Sequence, residues 1–214
     1  MPAAAPPDVV RRAYLAMKTV ARFVALVFVA PSVGSYFLRK ALLGSDRALM
    51  GSSQALAIVP GVIGQYLRTA FLRCVLAHCA ESVTVEFGTI FSQAGTRIDD
   101  NVYIGPMCHI GLVHLERDVL VGAAVHIPSG PETHGTRDIM IPIREQPGAP
   151  RLVRIGAGTW IGSAAVVMAD VGANTVIAAG AVVTKTIPGL VIAAGVPAEV
   201  IRNRAPDATC ESSS

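Results

Sequence analysis

From Ile98 onward, branched aliphatic residues recur every six positions: Ile98, Ile104 and Ile110, then Leu115, Val121 and Ile127. The steps resume at Ile155, Ile161 and Val167, and again at Val171, Ile177 and Val183. Gly or Ala often follows the aliphatic, as in Ile104-Gly105, Val121-Gly122, Ile161-Gly162 and Ile177-Ala178. A period of six fits neither a 3.6-residue helix nor a strand with alternating faces. It fits a parallel β-helix, in which each hexapeptide forms one flat side of a prism and points one aliphatic inward. The small residue beside it lets the backbone turn the corner without a clash. Aromatic residues make up only 5% of the chain, so small and branched aliphatics must fill the core.

The remainder of the chain has a different character. Residues 1–80 hold nine Lys/Arg against Asp8 and Asp46, a balance of +7, whereas residues 81–214 carry −4. Such an asymmetry predicts two jobs. The segment "VVRRAYLAMKTVARFVALVFVAPSVGSYFLRKALLG" reads as helical, with an uncharged run from Phe23 to Leu38. That run is sixteen residues, short of the roughly 20 that span a bilayer, and Pro31 interrupts it. No cleavage site of a secretory signal follows it. A second apolar stretch breaks at Pro60-Gly61 and restarts as a helix over 62–79, with Arg68 and Arg73 on one side. Basic residues beside apolar helices suit an anionic membrane surface; packing on the main domain or on a partner subunit is the alternative. The predicted organisation is a helical extension over 1–80, a β-helix domain over 81–204, and a disordered tail over 205–214. The basic residues lie among apolar helices without an aromatic platform, which excludes a nucleic-acid binder.

Four cysteines without a CxxC pair are read as free buried thiols in a reducing compartment. Cys108, His109 and His114 lack ligand-type spacing, and no metal site is expected. His78 falls in the helical segment, and His114 and His126 are assigned to solvated coil corners.

The regular pattern stops at residues 128–152, a polar and Pro-rich segment that opens with "SGPETHG" (129–135) and carries His134. The repeats, together with "TWIGS" (159–163), "GAVVTKTIP" (180–188) and "AAGVPAEVIR" (193–202), resemble the hexapeptide-repeat acyltransferases, in particular the sugar O-acetyltransferases of the galactoside and maltose acetyltransferase type. The resemblance covers roughly residues 83–204. It implies an all-β left-handed parallel β-helix, a homotrimer with sites between subunits, and acetyl-CoA as co-substrate. It implies a cytoplasmic enzyme, at the inner face of the cell membrane if the helices bind lipid.

In that family an extended loop beside the active site carries the catalytic histidine, and His134 occupies the matching place. A hydroxyl attacks a thioester poorly unless a base takes its proton, and an imidazole suits that task near neutral pH. Glu132, Asp138 or a backbone carbonyl could orient the ring. The resemblance carries acetyl-CoA contacts onto Trp160, Ser163, Ala179, Thr184, Lys185 and Arg202. It carries substrate contacts onto Glu132 and onto His109, near the position where sugar acetyltransferases have an Asn. That Asn is absent here, and Glu199 stands where the family has a second Arg, which shifts phosphate contact to Lys185, Arg202 and Arg204. The implied activity is transfer of an acetyl group to a sugar hydroxyl of a cell-surface glycan. Serine or an antibiotic is the alternative acceptor, and a non-catalytic scaffold the alternative from another class. A γ-carbonic-anhydrase-like protein would need a histidine triad that the chain does not offer.

Overall fold

The computed structural model describes residues 8–204, with side chains from residue 16 onward; the tail assigned to 205–214 lies outside the described residues. Three helices lead the chain: α1 (Asp8–Leu43), α2 (Ser45–Ala57) and α3 (Gly61–Val75). Helix α1 runs through Pro31 without a break. A proline inside a helix removes one backbone donor, and the surrounding turns hold the chain helical here. The apolar stretch Ala16–Leu43 is therefore continuous and, by length and composition alone, long enough to cross a membrane.

The prism begins earlier than the hexapeptide pattern predicts, within the segment assigned to the helices. Its first coil comprises β1 (His78–Cys79), β2 (Thr84–Val85) and β3 (Ile90–Phe91). The second comprises β4 (Arg97–Ile98), β5 (Tyr103–Ile104) and β6 (His109–Ile110), and the third β7 (Val113–Leu115), β8 (Leu120–Val121) and β9 (His126–Ile127). After the interruption come β10 (Val153–Ile155), β11 (Trp160–Ile161) and β12 (Val166–Val167). A bridge at Val171, β13 (Val176–Ile177) and β14 (Val182–Val183) make the fifth coil. The sixth holds a bridge at Ile187 and β15 (Val191–Ala194), on which β16 (Glu199–Asn203) folds back antiparallel.

Corresponding sides of successive coils pair in parallel, which gives three sheets, β1-β4-β7-β10, then β2-β5-β8-β11-β13-β15-β16, then β3-β6-β9-β12-β14, with only β16 antiparallel among the described strands. The aliphatics that set the period all point inward: Ile98, Ile104, Ile110, Leu115, Val121, Ile127, Ile155, Ile161, Val167, Ile177 and Val183 are each fully buried. A second buried series lies two residues before the rungs, at the corners. Where it is threonine, the hydroxyl donates to the next coil: Thr89 to Gly105 O at 2.7 Å, Thr96 to Gly111 O at 2.6 Å, and Thr159 to Gly172 O at 2.9 Å. A polar group is thus tolerated inside because its bond is made.

The helices satisfy the open edge of the first coil, which would otherwise present unpaired backbone groups. Ser53 Oγ accepts from Phe91 N at 2.8 Å, and an Asp46 carboxylate oxygen accepts from Ala94 N at 3.0 Å. Arg68 donates to Val85 O at 3.0 Å, and Thr69 to Val83 O at 3.1 Å. The sequence left Arg68 and Arg73 to face either an anionic membrane surface or the main domain; Arg68 takes the second course and is buried. Its long side chain reaches acceptors that exist only because the prism packs against α3. His78 is a strand residue because its backbone pairs with β4, a partner nineteen positions along the chain.

Candidate active site

All but one of the residues expected to act sit on or beside the third sheet. Its outward face presents His109 and His126 in register on adjacent rungs, their rings 6.2 Å apart and edge to face. His126 is a strand residue rather than a corner residue, and so is His114 on β7. Burial, with a smaller contribution from the facing His126, holds the His109 imidazole below its ordinary range. His109 is therefore neutral at neutral pH. The stability this carries is present above the ordinary histidine value and is lost as pH falls through the lowered folded value.

At one corner of this sheet, after β11, Ser163 lies directly above Ala179, and Gly180 N donates to Ser163 O at 2.9 Å. Ser163 Oγ accepts from Ala123 N at 3.2 Å in the coil before. Ala123, Ser163, Ala179 and Gly195 form a column of small residues one coil apart, as the rung pairing requires. Trp160 precedes this corner on the second sheet, 51% exposed although its backbone pairs on both sides with Leu120 and Val176.

The other corner, after β9, releases the loop. Its base closes through Arg151 N to Ser129 O at 2.8 Å and Ala149 N to Glu132 O at 2.7 Å. Glu132, Thr184 and Lys185 line one cleft of about 700 Å³ between this base and the fifth coil. His134 is exposed, and no side-chain hydrogen bond to it is found among the described residues. The orienting groups that the sequence offered, Glu132 and Asp138, do not reach it: Asp138 Oδ1 instead accepts from Met140 N at 2.8 Å. Arg202 lies apart from that cleft, on β16 opposite Ile192 of the second sheet, with Glu199 opposite Ala194.

Sequence reasoning missed what shapes the loop. Gln146 is buried, and its Nε2 donates to Asp138 O at 2.6 Å and Ile141 O at 2.8 Å. Gly148 packs so closely that a Cβ there would overlap the Thr133 carbonyl and crowd His134 N. Neither signal is visible in the hexapeptide period, because each partner lies elsewhere in the loop. Burial pushes the Cys79 thiol up to about 12, against a smaller opposing pull from Arg73, and raises Cys108 as well. A thiol held protonated is a poor nucleophile. No group of three or more His, Cys, Asp and Glu suited to a metal ion occurs among the described residues.

No protein-family model matches the chain. Over 52 residues it is 54% identical to the galactoside O-acetyltransferase of Escherichia coli K12, a stretch of 23% of this chain and 26% of that protein. The chain spans about a quarter of the length of the curated relatives it matches. The fold resembles a maltose O-acetyltransferase of Clostridium difficile 630, with a TM-score of 0.66 at 22% identity over 77% of this chain and 89% of that one. It also resembles a galactoside acetyltransferase solved with coenzyme A, with a TM-score of 0.58 at 25% identity over 74% and 82% of the two chains.

Proposed function

We infer that this chain, a member of the hexapeptide-repeat acetyltransferases of the sugar O-acetyltransferase type, moves an acetyl group from acetyl-CoA to a sugar hydroxyl. The observation that carries the reading is the bracketing of the third sheet. The loop that carries His134 leaves one corner, where its Glu132 lines a cleft with Lys185, and a column of small residues stands at the other. The pantetheine arm runs along Ser163 and Ala179 beside Trp160; Thr184 and Lys185 serve the nucleotide end from one protomer, and Arg202, apart from them on β16, from the neighbouring one. Glu132 and His109 contact the acceptor. His134 takes the acceptor's proton as the hydroxyl oxygen attacks the thioester carbonyl; the tetrahedral intermediate then expels the CoA sulfur, which receives the proton. Coil amides stabilise the oxyanion.

The active form is a homotrimer. Support comes from an exposed apolar loop tip, Ile139 at 94% and Met140 at 85%, and from a His134 that lacks an orienting acceptor within its own protomer. The neighbouring prism covers the former and supplies the latter. The enzyme works in the cytoplasm on a cell-surface glycan or its lipid-linked precursor, held at the inner face of the membrane by α1. The transferase unit, expected over 81–204, takes in the first coil from His78 as well, with 128–152 as the active-site loop. The sequence reading used the +7 balance together with the apolar faces for membrane contact, but four of those cations are engaged among the described residues. Arg68 is buried, Arg22 and Arg73 pair with Glu81, and Arg39 donates to Ser52. Between Arg22 and Arg39 the outward face of α1 is uncharged, with Phe23, Val27, Phe28 and Leu38 exposed. Contact is therefore apolar first.

Acceptor-dependent release of CoA thiol tests the activity. Acetyl-CoA with a panel of galactosides, maltose and glycan oligosaccharides is expected to give turnover, whereas serine and aminoglycosides give none. Binding of acetyl-CoA without turnover on any of these sugars would favour a scaffold. A second expected result concerns the loop: Gly148→Ala lowers turnover by about tenfold or more, since a displacement of an ångström at a reacting group can remove that much or greater. The melting temperature should stay near that of the parent. An unchanged rate would mean that the 132–135 segment does not position the base.

A further inference from the structure

The outward face of each sheet is a row of side chains one coil apart. On the first sheet the row runs His78, Arg97, His114 and Arg154, and both of its imidazoles meet a carboxylate: Asp99 lies 3.1 Å from His114 Nε2 and 3.7 Å from His78 Nε2. The row on the third sheet is aliphatic except at its middle, where His109 and His126 stand between Ile90 on one side and Val166 and Val182 on the other. No hydrogen bond or ion pair to either of these rings is found among the described residues; their contact is with each other. His126 is exposed and His109 half-buried. An imidazole whose nitrogens have no protein partner keeps its hydrogen-bonding capacity for whatever reaches the face.

The chemistry of the pair narrows the ligand. Burial holds His109 below its ordinary range and His126 adds to that, so the pair is not built to attract an anion. No Asp, Glu or Cys joins the two rings in a group suited to a metal ion among the described residues. A neutral imidazole carries one N–H donor and one acceptor nitrogen, and a hydroxyl can answer either. Two imidazoles in register on adjacent rungs, their rings 6.2 Å apart, therefore suit a neutral molecule with hydroxyls at two neighbouring positions. A sugar ring has that pattern, and its C–H flanks suit Ile90 and Val166 on either side of the pair. The pair also stands at the root of the active-site loop: β9 ends at Ile127, and the segment that carries His134 opens at the next residue.

We propose that His126, together with His109, forms a shelf that holds two neighbouring hydroxyls of the acceptor sugar, neither of them the one acetylated; the inference rests on the sugar O-acetyltransferase reading above. The hydroxyl that reacts faces His134 instead. His126 is then a specificity-determining residue: a sugar whose two shelf hydroxyls are free binds well, and one in which either is missing or already substituted binds less well.

Two readouts on the full chain test it. In the first, methyl β-galactopyranoside and its monodeoxy analogues are compared as acceptors at saturating acetyl-CoA. His126→Phe should raise the KM of the parent sugar about tenfold and leave kcat and the KM of acetyl-CoA within about twofold, because the lost hydrogen bond is made equally in the ground and transition states. For an analogue that lacks a shelf hydroxyl, KM should start about tenfold higher, and the substitution should add nothing to it. His126→Gln, which keeps a donor and an acceptor, should recover most of the loss. An equal loss on every analogue, or a fall in kcat at unchanged KM, would overturn the shelf. In the second readout diethyl pyrocarbonate modifies the histidines and mass spectrometry reads each one, with no turnover needed. Near-saturating galactoside should slow modification of His109 and His126 about fivefold and leave His78 as it was. Turnover without that protection would overturn the shelf and leave the transferase reading standing. Protection without turnover would uphold the shelf and count against the transferase reading. Neither protection nor turnover would overturn this inference. Protection by zinc chloride but not by the sugar would make the pair a metal site and overturn it as well.

Discussion

His134→Ala should reduce turnover by roughly 100-fold or more while acetyl-CoA binding and melting temperature stay close to the parent values. The physical ground for separating these effects is the location of the residue. His134 is exposed on a loop whose shape is held by others, with Gln146 bonded to Asp138 and Ile141 and the base closed between Arg151 and Ser129. Removing an exposed imidazole leaves no cavity and no orphaned partner within the protomer. The donor's proposed contacts, Ser163, Ala179 and Lys185, belong to the fourth and fifth coils and are untouched. Only proton transfer from the acceptor is lost. Single-turnover measurements with saturating acetyl-CoA would isolate that step, since they separate chemistry from binding and product release. A variant that turns over at the parent rate on the true acceptor would move the base elsewhere, and His109, neutral and facing outward on the third sheet, would be examined next.

Arg68→Met should lower stability by about 3 kcal/mol, although it removes a charge from the interior. The guanidinium joins three segments: Nε donates to Val85 O at 3.0 Å on the first coil, and Nη1 donates to Leu56 O at 3.1 Å and Val59 O at 2.7 Å at the end of α2. Burial pulls its pKa down, partly opposed by Glu86, so the charged form is held against a desolvation penalty. Its Nη2 is buried with no partner among the described residues, which makes the site less than ideal for a cation. The decisive term is what a substitution leaves behind. Methionine fills much of the volume but strands the Val85 and Val59 carbonyls, while Leu56 O keeps its bond from Val59 N, and each unsatisfied buried acceptor costs about 1–3 kcal/mol. Part of that is returned by the charge no longer being buried. For a chain of this size the expected drop in melting temperature is about 9 °C. Arg68→Lys should recover only part of it, because an ammonium cannot fork between acceptors on α2 and the prism. A loss below about 1 kcal/mol would show that water reaches these carbonyls in the variant and that the cap does not depend on the guanidinium.

The prism was legible because its signal is local and repeated. Each rung aliphatic meets the same demand, a place inside a triangular section, and each coil contacts mainly its neighbours. Ile98, Ile104 and Ile110 therefore carry the same information as Ile155, Ile161 and Val167, and one window of sequence predicts the next. The loop over 128–152 was legible for the opposite reason, as a break in a strict period. The corner residues Ser163 and Ala179 inherit their stacking from the period itself, sixteen positions apart at one corner of successive coils.

What the period does not encode is anything that depends on one unrepeated contact between distant residues. His78 looked helical from its neighbours and became a strand through β4. Arg68 and Arg73 looked alike on a helical wheel; packing against Val85 buried the first, while Glu81 paired with the second near the surface. Gln146 and Gly148 are ordinary loop residues until the chain folds back on residues 133–141. The sequence by itself determined the repeating core, because burial of one aliphatic per side is settled between adjacent coils. Only the tertiary structure decided which cations are engaged, how the helices cap the first coil and how the loop holds His134, because each of those rests on hydrogen bonds whose geometry exists only once the distant segments have met.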